Sequence, residues 1–333
     1  MRCTVLGAGS WGTALAVHLT RIGHDTCLWD RNAERADEMR RTRRNPRHLK
    51  DTALPQSLSI DAALESALSG ADLVVPVVPS HALRSTLLAS RRYVPTHALV
   101  ACATKGIEHH TLATMHEVAR EAWPEHASRT VILTGPSFSV EVARGLPTAV
   151  VAAGPEPAAQ AIAEAFHGEA FRVYTSDDVV SACIGGSLKN VMAIATGVAS
   201  GLGLGHNAIA GIITRGLAET TRLAVARGAT SPLTMMGLAG LGDLVLTCTG
   251  ELSRNRRVGV ALGQGKSLTT ILAELGEVAE GGGTAEAALL LAQRVGVELP
   301  ITEQVDAMLR QGRSPAAALA RLLGRERRPE RDE

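Results

Sequence analysis

The chain has 333 residues, of which 45% are hydrophobic and only 2% aromatic, so it can bury a large aliphatic, alanine-rich core in two domains. Its formal net charge of +1 excludes a general nucleic-acid or membrane-surface binder and leaves room for a local anion pocket. The five cysteines (Cys3, Cys27, Cys102, Cys183 and Cys248) are scattered and form no CxxC pair, which points to reduced thiols in a cytoplasmic protein.

The N-terminus "MRCTVLGAGSWG" is not a signal peptide, because glycines interrupt the apolar run at once. The longest apolar stretches contain Lys189, Asn190 or several glycines, so stable membrane insertion is not expected. Strands are predicted at 3–7, 26–29, 72–78, 98–104, 130–135 and 148–154, and helices at 11–23 and 61–70, the latter with Asp61 near its start. Near-continuous apolar strands alternating with helices imply a parallel sheet covered on both faces. After "FRVYTSDD" (171–178) the remaining pattern is helical. The boundary is placed near residue 180, giving domains at 1–180 and 181–325. The charged tail 326–333 is expected to be mobile.

"GAGSWG" matches GxGxxG between a strand and a helix. Gly7 allows the tight turn, Gly9 lets the backbone approach a pyrophosphate, and Gly12 permits close helix packing. The helix start beyond it supplies N–H donors and partial positive charge. The second strand ends in "LWDRN". Asp30 stands near the usual acidic ribose position and favours NAD, whereas Arg31 suits the 2′-phosphate of NADP, so the two signals oppose each other. A solvated Asp–Arg turn is the bland alternative.

Ligands of open α/β sheets bind beyond the carboxyl ends of the strands. That places Lys105 in "ATKGIE" and Gly135, Ser137 and Ser139 in "TGPSFSVE" at the active edge, although serine and glycine also serve ordinary turns. Lys189 is the one charge in "GGSLKNVMAIATGVASG". Its helix face is small (Gly185, Gly186, Met192, Ala193, Thr196), which would let a ligand or another element come close, and Asn190 adds a second polar group. The bland alternative is a lysine snorkelling from a helix end. Asp243 follows a glycine turn among apolar residues and could pair with a lysine, keeping it charged or orienting it. "SRNRR" puts Ser253 at a helix start with Arg254 and Asn255 behind it, a phosphate-suited arrangement or else a solvated basic face.

Together "GAGSWGTALA", "VVPS", "ATKGIE", "TGPSF", "GGSLKNVMAIATG", "ITRGLAE", "GLGDLVLTC" and "SRNRR" resemble the NAD(P)-dependent glycerol-3-phosphate dehydrogenases of the bacterial single-chain form, over residues 1–325. The resemblance implies an α/β protein with an N-terminal Rossmann-type doubly wound sheet followed by an all-α C-terminal domain, usually a homodimer. It implies reversible NADH- or NADPH-dependent reduction of dihydroxyacetone phosphate to sn-glycerol 3-phosphate for phospholipid synthesis, and no metal. By motif, Lys189 is the implied proton donor and acceptor, helped by Lys105, Asn190 and Asp243. The phosphorylated substrate would meet Lys105, Gly135, Ser137, Lys189, Asp243, Ser253, Arg254 and Asn255. Cofactor contacts fall on Gly7, Gly9, Ser10, Trp11, Gly12, Arg31, Lys105, Ser139, Arg254, Val278 and Glu280.

Three stretches depart from the family pattern. Gly282 and Gly283 stand where bulkier residues are usual, "NPRHLK" (45–50) lacks an aromatic-Leu-Pro, and Ile209 replaces a common lysine. A β-hydroxyacid dehydrogenase shares the layout and a helix-borne lysine, but "SRNRR" argues against it. A non-catalytic dinucleotide sensor has no need of Lys105, Lys189 and Asp243 together.

Overall fold

The computed structural model describes residues 1–275, 280–326 and 329–330, with the side chains of Leu275 and Glu280 also outside the description. The expected tail at 326–333 therefore lies largely outside the described residues.

The chain opens with β1 (Arg2–Leu6), α1 (Ser10–Arg21) and β2 (Asp25–Trp29). It continues with α2 (Ala33–Thr42), β3 (Ser59–Asp61), α3 (Leu64–Leu68), β4 (Leu73–Pro76), α4 (Ser80–Ser90), β5 (Leu99–Cys102) and α5 (Met115–Ala122). Then come β6 (Thr130–Thr134), α6 (Ser139–Arg144), β7 (Thr148–Ala153), α7 (Glu156–Phe166) and β8 (Phe171–Ser176). The eight strands form one sheet in the order β3-β2-β1-β4-β5-β6-β7-β8, with β1 at the crossover point. Apolar side chains of the inner strands feed two separate clusters, one on each face, as a doubly wound sheet requires.

Two details differ from the sequence expectation. Asp61 ends β3 instead of lying in the next helix; its carboxylate accepts from Ala62 N, Ala63 N and Ser66 Oγ, so it closes the turn from the strand side. The sheet is not wholly parallel, because β7 runs antiparallel to β6. Between them α6 packs on α1, held by Arg21 donating to the carbonyls of Val142 and Ala143, and does not cross the sheet. The chain therefore returns from the same edge at which β6 left it.

Among the described residues no strand follows Ser176. The helical part comprises α8 (Val179–Gly201), α9 (Gly205–Ala226), α10 (Asp243–Thr249), α11 (Arg254–Gly263), α12 (Leu268–Leu275), α13 (Glu280–Arg294), α14 (Pro300–Arg310) and α15 (Pro315–Leu323). Asp178 starts α8 by accepting from Ser181 N and Ser181 Oγ. By length and composition α8 could cross a membrane, but 89% of its apolar window is buried within the protein, so it reads as a core helix. It packs backbone to backbone on α11. A Cβ at Gly197 would overlap the carbonyl of Arg256, and one at Gly259 would overlap that of Ile194.

Candidate active site

The loop between β1 and α1 fits a dinucleotide. Gly7 has φ +124°, which side chains rarely tolerate, and a Cβ at Gly12 would overlap Gly7 O. Gly9 faces open space, with nothing within 4 Å of a Cβ there. Ser10, Trp11 and Gly12 form the first turn of α1, whose backbone N–H groups point out of the sheet edge. Trp11 Nε1 is buried and has no partner among the described residues, so a donor is left over at this cradle.

The stretch 45–50 packs onto the same loop. Asn45 Nδ2 donates to Ala8 O and Thr13 Oγ1, each at 2.9 Å, and its Oδ1 accepts from the backbone of Arg47 and His48. His48 Nδ1 lies 3.3 Å from Ser10 Oγ. Burial lowers its pKa, and Arg254, Arg35 and Arg47 lower it further. Sequence reasoning missed His48 and noted only an absent aromatic motif. At the end of β2 the two opposing side chains sit in different settings. Asp30 is buried, takes both Arg35 Nε and Nη2 at 2.5 Å, and accepts from Asn32 N. Arg31 is exposed.

A second cluster forms where the sheet edge meets the helices. Lys105 follows β5, Lys189 lies midway along α8, and Asp243 opens α10. The glycine-rich turn that delivers Asp243 is a short π-type one, Leu238–Gly242. Asp243 is 0% exposed, and its two oxygens accept from Lys105 Nζ at 2.8 Å and Lys189 Nζ at 2.5 Å. The lysines are 15% and 11% exposed. Burial draws the Lys189 pKa down to about 8; Asp243 opposes this and Lys105 adds to it. Burial also disfavours ionised Asp243, but the two ammonium groups outweigh that effect and hold its pKa below the ordinary value.

Of the two readings of the small face of α8, close approach by another element is what the structure shows at its two glycines. A Cβ at Gly185 would stand 2.5 Å from Ala239 O, and one at Gly186 would stand 2.9 Å from Thr134 Oγ1. These glycines admit the backbone at Ala239 and the side chains of Thr134 and Lys105.

The remaining candidates line the same edge. Gly135, at φ +133°, accepts through its carbonyl from Ser137 Oγ at 2.9 Å, and Ser139 is the first residue of α6. Ser253 caps α11 by accepting from Arg256 N, and Arg254 stands exposed at that helix start. Asn255 Oδ1 accepts from Gly281 N, and a Cβ at Gly281 would stand 2.9 Å from that oxygen and 3.0 Å from Asn190 O. The starts of α11 and α13 thus converge beside Asn190. Val278 lies outside the described residues, and so does the side chain of Glu280. Of the two departing glycines, Gly282 has room for a side chain, whereas a Cβ at Gly283 would stand 2.8 Å from His109 Nε2. All five cysteines are buried, and burial raises their pKa to about 11 or 12.

A dinucleotide cradle at the switch point of a doubly wound sheet, facing a buried lysine–carboxylate set across the edge, is the architecture of an NAD(P)-dependent oxidoreductase. The family models described as NAD-dependent glycerol-3-phosphate dehydrogenase N-terminus and C-terminus match residues 2–160 and 178–320. The chain belongs to that family. It is 51% identical over 332 residues to a glycerol-3-phosphate dehydrogenase [NAD(P)+] of Anaeromyxobacter dehalogenans, covering 99% of this chain and 100% of that one. It is also 51% identical over 330 residues to the protein of that name from Xanthomonas campestris, covering 99% and 96%. A crystal structure of glycerol-3-phosphate dehydrogenase from Coxiella burnetii aligns with TM-score 0.92 at 39% identity, covering 97% of this chain and 99% of that one.

Proposed function

We propose that this enzyme reversibly reduces dihydroxyacetone phosphate to sn-glycerol 3-phosphate and so supplies glycerophospholipid synthesis in the cytoplasm, with Lys189 as proton donor and acceptor. The observation that carries the reading is the buried Asp243 carboxylate shared by Lys105 and Lys189. When bound, NAD(P)H supplies the hydride. Lys189 donates its proton to the oxygen that becomes the alcohol, and its pKa of about 8 suits both directions near neutrality. Asp243 keeps the two ammonium groups side by side against their repulsion. Lys105 is the second cation for the developing oxyanion, and Asn190 assists from the next position on α8. Gly135 and Ser137 hold the substrate from the sheet edge, while Ser253, Arg254 and Asn255 hold its phosphate at the start of α11. Gly7, Gly9, Ser10, Trp11, Gly12 and the backbone at Ser139 hold the dinucleotide, with Lys105, Arg254, Val278 and Glu280 completing that set.

Asp30 is occupied by Arg35, whereas Arg31 is exposed and His48 lies within the field of Arg35 and Arg47. This basic setting favours the 2′-phosphate of NADPH. The domain boundary near residue 180 follows the step from β8 to α8. Large exposed apolar side chains recur at Leu233, Met236, Val245 and Leu252, which supports a homodimer.

The deciding experiment supplies purified protein with dihydroxyacetone phosphate and follows NADH and NADPH oxidation separately. Lys189→Ala should lower turnover by a factor on the order of 10² to 10⁴ while dinucleotide binding persists. Near-normal turnover in that variant would remove Lys189 from its role.

A further inference from the structure

Thr134 ends β6, is 2% exposed, and its Oγ1 has no hydrogen-bond partner among the described residues. An unmet buried hydroxyl is costly and calls for a partner. The Thr134 side chain borders a cavity of about 10 Å³ also lined by Thr104, Lys105, Cys183, Gly186 and Ser187. That is about the volume one water needs.

The cavity exists because α8 carries glycine there. A Cβ at Gly186 would stand 2.9 Å from Thr134 Oγ1 and 3.8 Å from Cγ and Cδ of Lys105. The space therefore lies between the Thr134 hydroxyl and the stem of Lys105. Ser187 Oγ donates to Cys183 O at 2.7 Å and accepts from Gly106 N at 3.2 Å, which leaves it one lone pair. Two hydroxyl groups can thus share a single guest.

We propose that one buried water occupies this cavity, held by Thr134 Oγ1 and Ser187 Oγ, and that Thr134 is a positioning residue for Lys105. The water braces the lysine stem and presents an orientable dipole to a cluster of two ammonium groups and one carboxylate. The charged and titratable groups around that cluster are Lys105, Lys189, Asp243, the thiols of Cys183 and Cys248, and Arg256 behind Cys248. Loss of the dipole disfavours the net positive charge, so a proton leaves the cluster at lower pH. The functional half rests on the reading of Lys105 and Lys189 given above; the water itself does not.

The test combines high-resolution crystal structures of the wild type, Thr134→Val and Thr134→Ser with kcat–pH profiles for dihydroxyacetone phosphate reduction. Wild type should show one water within hydrogen-bond reach of Thr134 Oγ1, Thr134→Ser should keep it, and Thr134→Val should lose it. Thr134→Val should lower kcat about three- to tenfold, leave the dinucleotide KM unchanged, and move the alkaline limb down by about half a unit. Thr134→Ser should restore both. A dry cavity in wild type overturns the water site, and superimposable profiles for wild type and Thr134→Val overturn the positioning role. If the protein does not reduce dihydroxyacetone phosphate at all, the proposed function falls while the density still decides the water. Should Thr134→Val not fold, the wild-type and Thr134→Ser maps decide the water, and a Thr134→Ser profile displaced from wild type would overturn the positioning role.

Discussion

Asp243→Asn keeps the shape of the side chain and removes its charge. In the native protein that carboxylate is fully buried and touches both ammonium groups. Removing one partner from a buried ion pair costs about 3–5 kcal/mol, because the remaining charge stays uncompensated. The protein can limit the loss by releasing a lysine proton. Relative to an unfolded lysine with pKa about 10.4, that release costs about 4.6 kcal/mol at pH 7 and about 1.9 kcal/mol at pH 9. The variant therefore recovers about 2.7 kcal/mol between those pH values. Wild type recovers less, because Lys189 already titrates near 8 when folded and stability rises only above that pH. The gap between the two proteins should narrow by about 1 kcal/mol or more from pH 7 to pH 9. In wild type the Asp243 contribution is present above the ordinary carboxylate pKa and is lost as pH falls through its depressed folded value. Urea unfolding followed by the fluorescence of Trp11, Trp29 and Trp123 measures all of this. Equal urea midpoints at pH 7, or a gap that does not change at pH 9, would refute the account of a buried charge shared by two lysines.

The same pKa fixes the direction of the activity profile. Reduction needs the Lys189 ammonium and should decline as pH rises through about 8, whereas oxidation needs the free amine and should rise through the same value. Profiles that move together in steady-state assays of both directions would exclude Lys189 as the group that titrates. Arg31→Ala should raise the KM for NADPH about tenfold or more and leave NADH nearly unchanged, since only the phosphorylated dinucleotide loses a charge-assisted contact. An equal loss with both would place Arg31 elsewhere. Gly197→Ala drives a methyl group into the Arg256 carbonyl and should destabilise by about 1–3 kcal/mol while raising the KM for substrate, because α11 carries Arg254 and Asn255. Gly211→Ala on α9, where a Cβ meets nothing within 4 Å, should stabilise by about 0.5–1 kcal/mol and serves as the matched control in thermal unfolding.

The glycine loop was legible from sequence because its signal is local: three glycines between a strand and a helix impose the same backbone in any context. Strand ends were legible for the same reason, and they placed Lys105 and Gly135 at the active edge without coordinates. The meeting of Lys105, Lys189 and Asp243 was not readable from the residues, since these positions lie far apart in the chain and no periodicity links them. Only the family resemblance brought them to one site. Asp30 was ambiguous because its partner, Arg35, becomes a neighbour only once α2 has formed and turned back on β2. The antiparallel β7 was hidden because an apolar run shows burial but not direction.

The small face of α8 shows why small residues near a charge need coordinates. A glycine in a helix gives close approach to whatever lies opposite, and the sequence does not say whether that is ligand or protein. Gly185 meets Ala239 at the turn that delivers Asp243, Gly186 meets Thr134 and Lys105, and Gly197 and Gly201 meet α11. Ser187 adds a hydrogen bond from Gly106, next to Lys105. One helix thus sets Lys189 against four separate elements: the ends of β5 and β6, the turn into α10, and the helix bearing the phosphate-suited residues. At Gly185, Gly197 and Gly201 the contacts are with backbone, which leaves no flexible side chain to absorb an error. A misplacement of about 1 Å can cost on the order of 10²-fold in rate. The glycines therefore bear on catalysis through the distances they fix, and an added methyl group should disturb turnover even where it never nears the substrate.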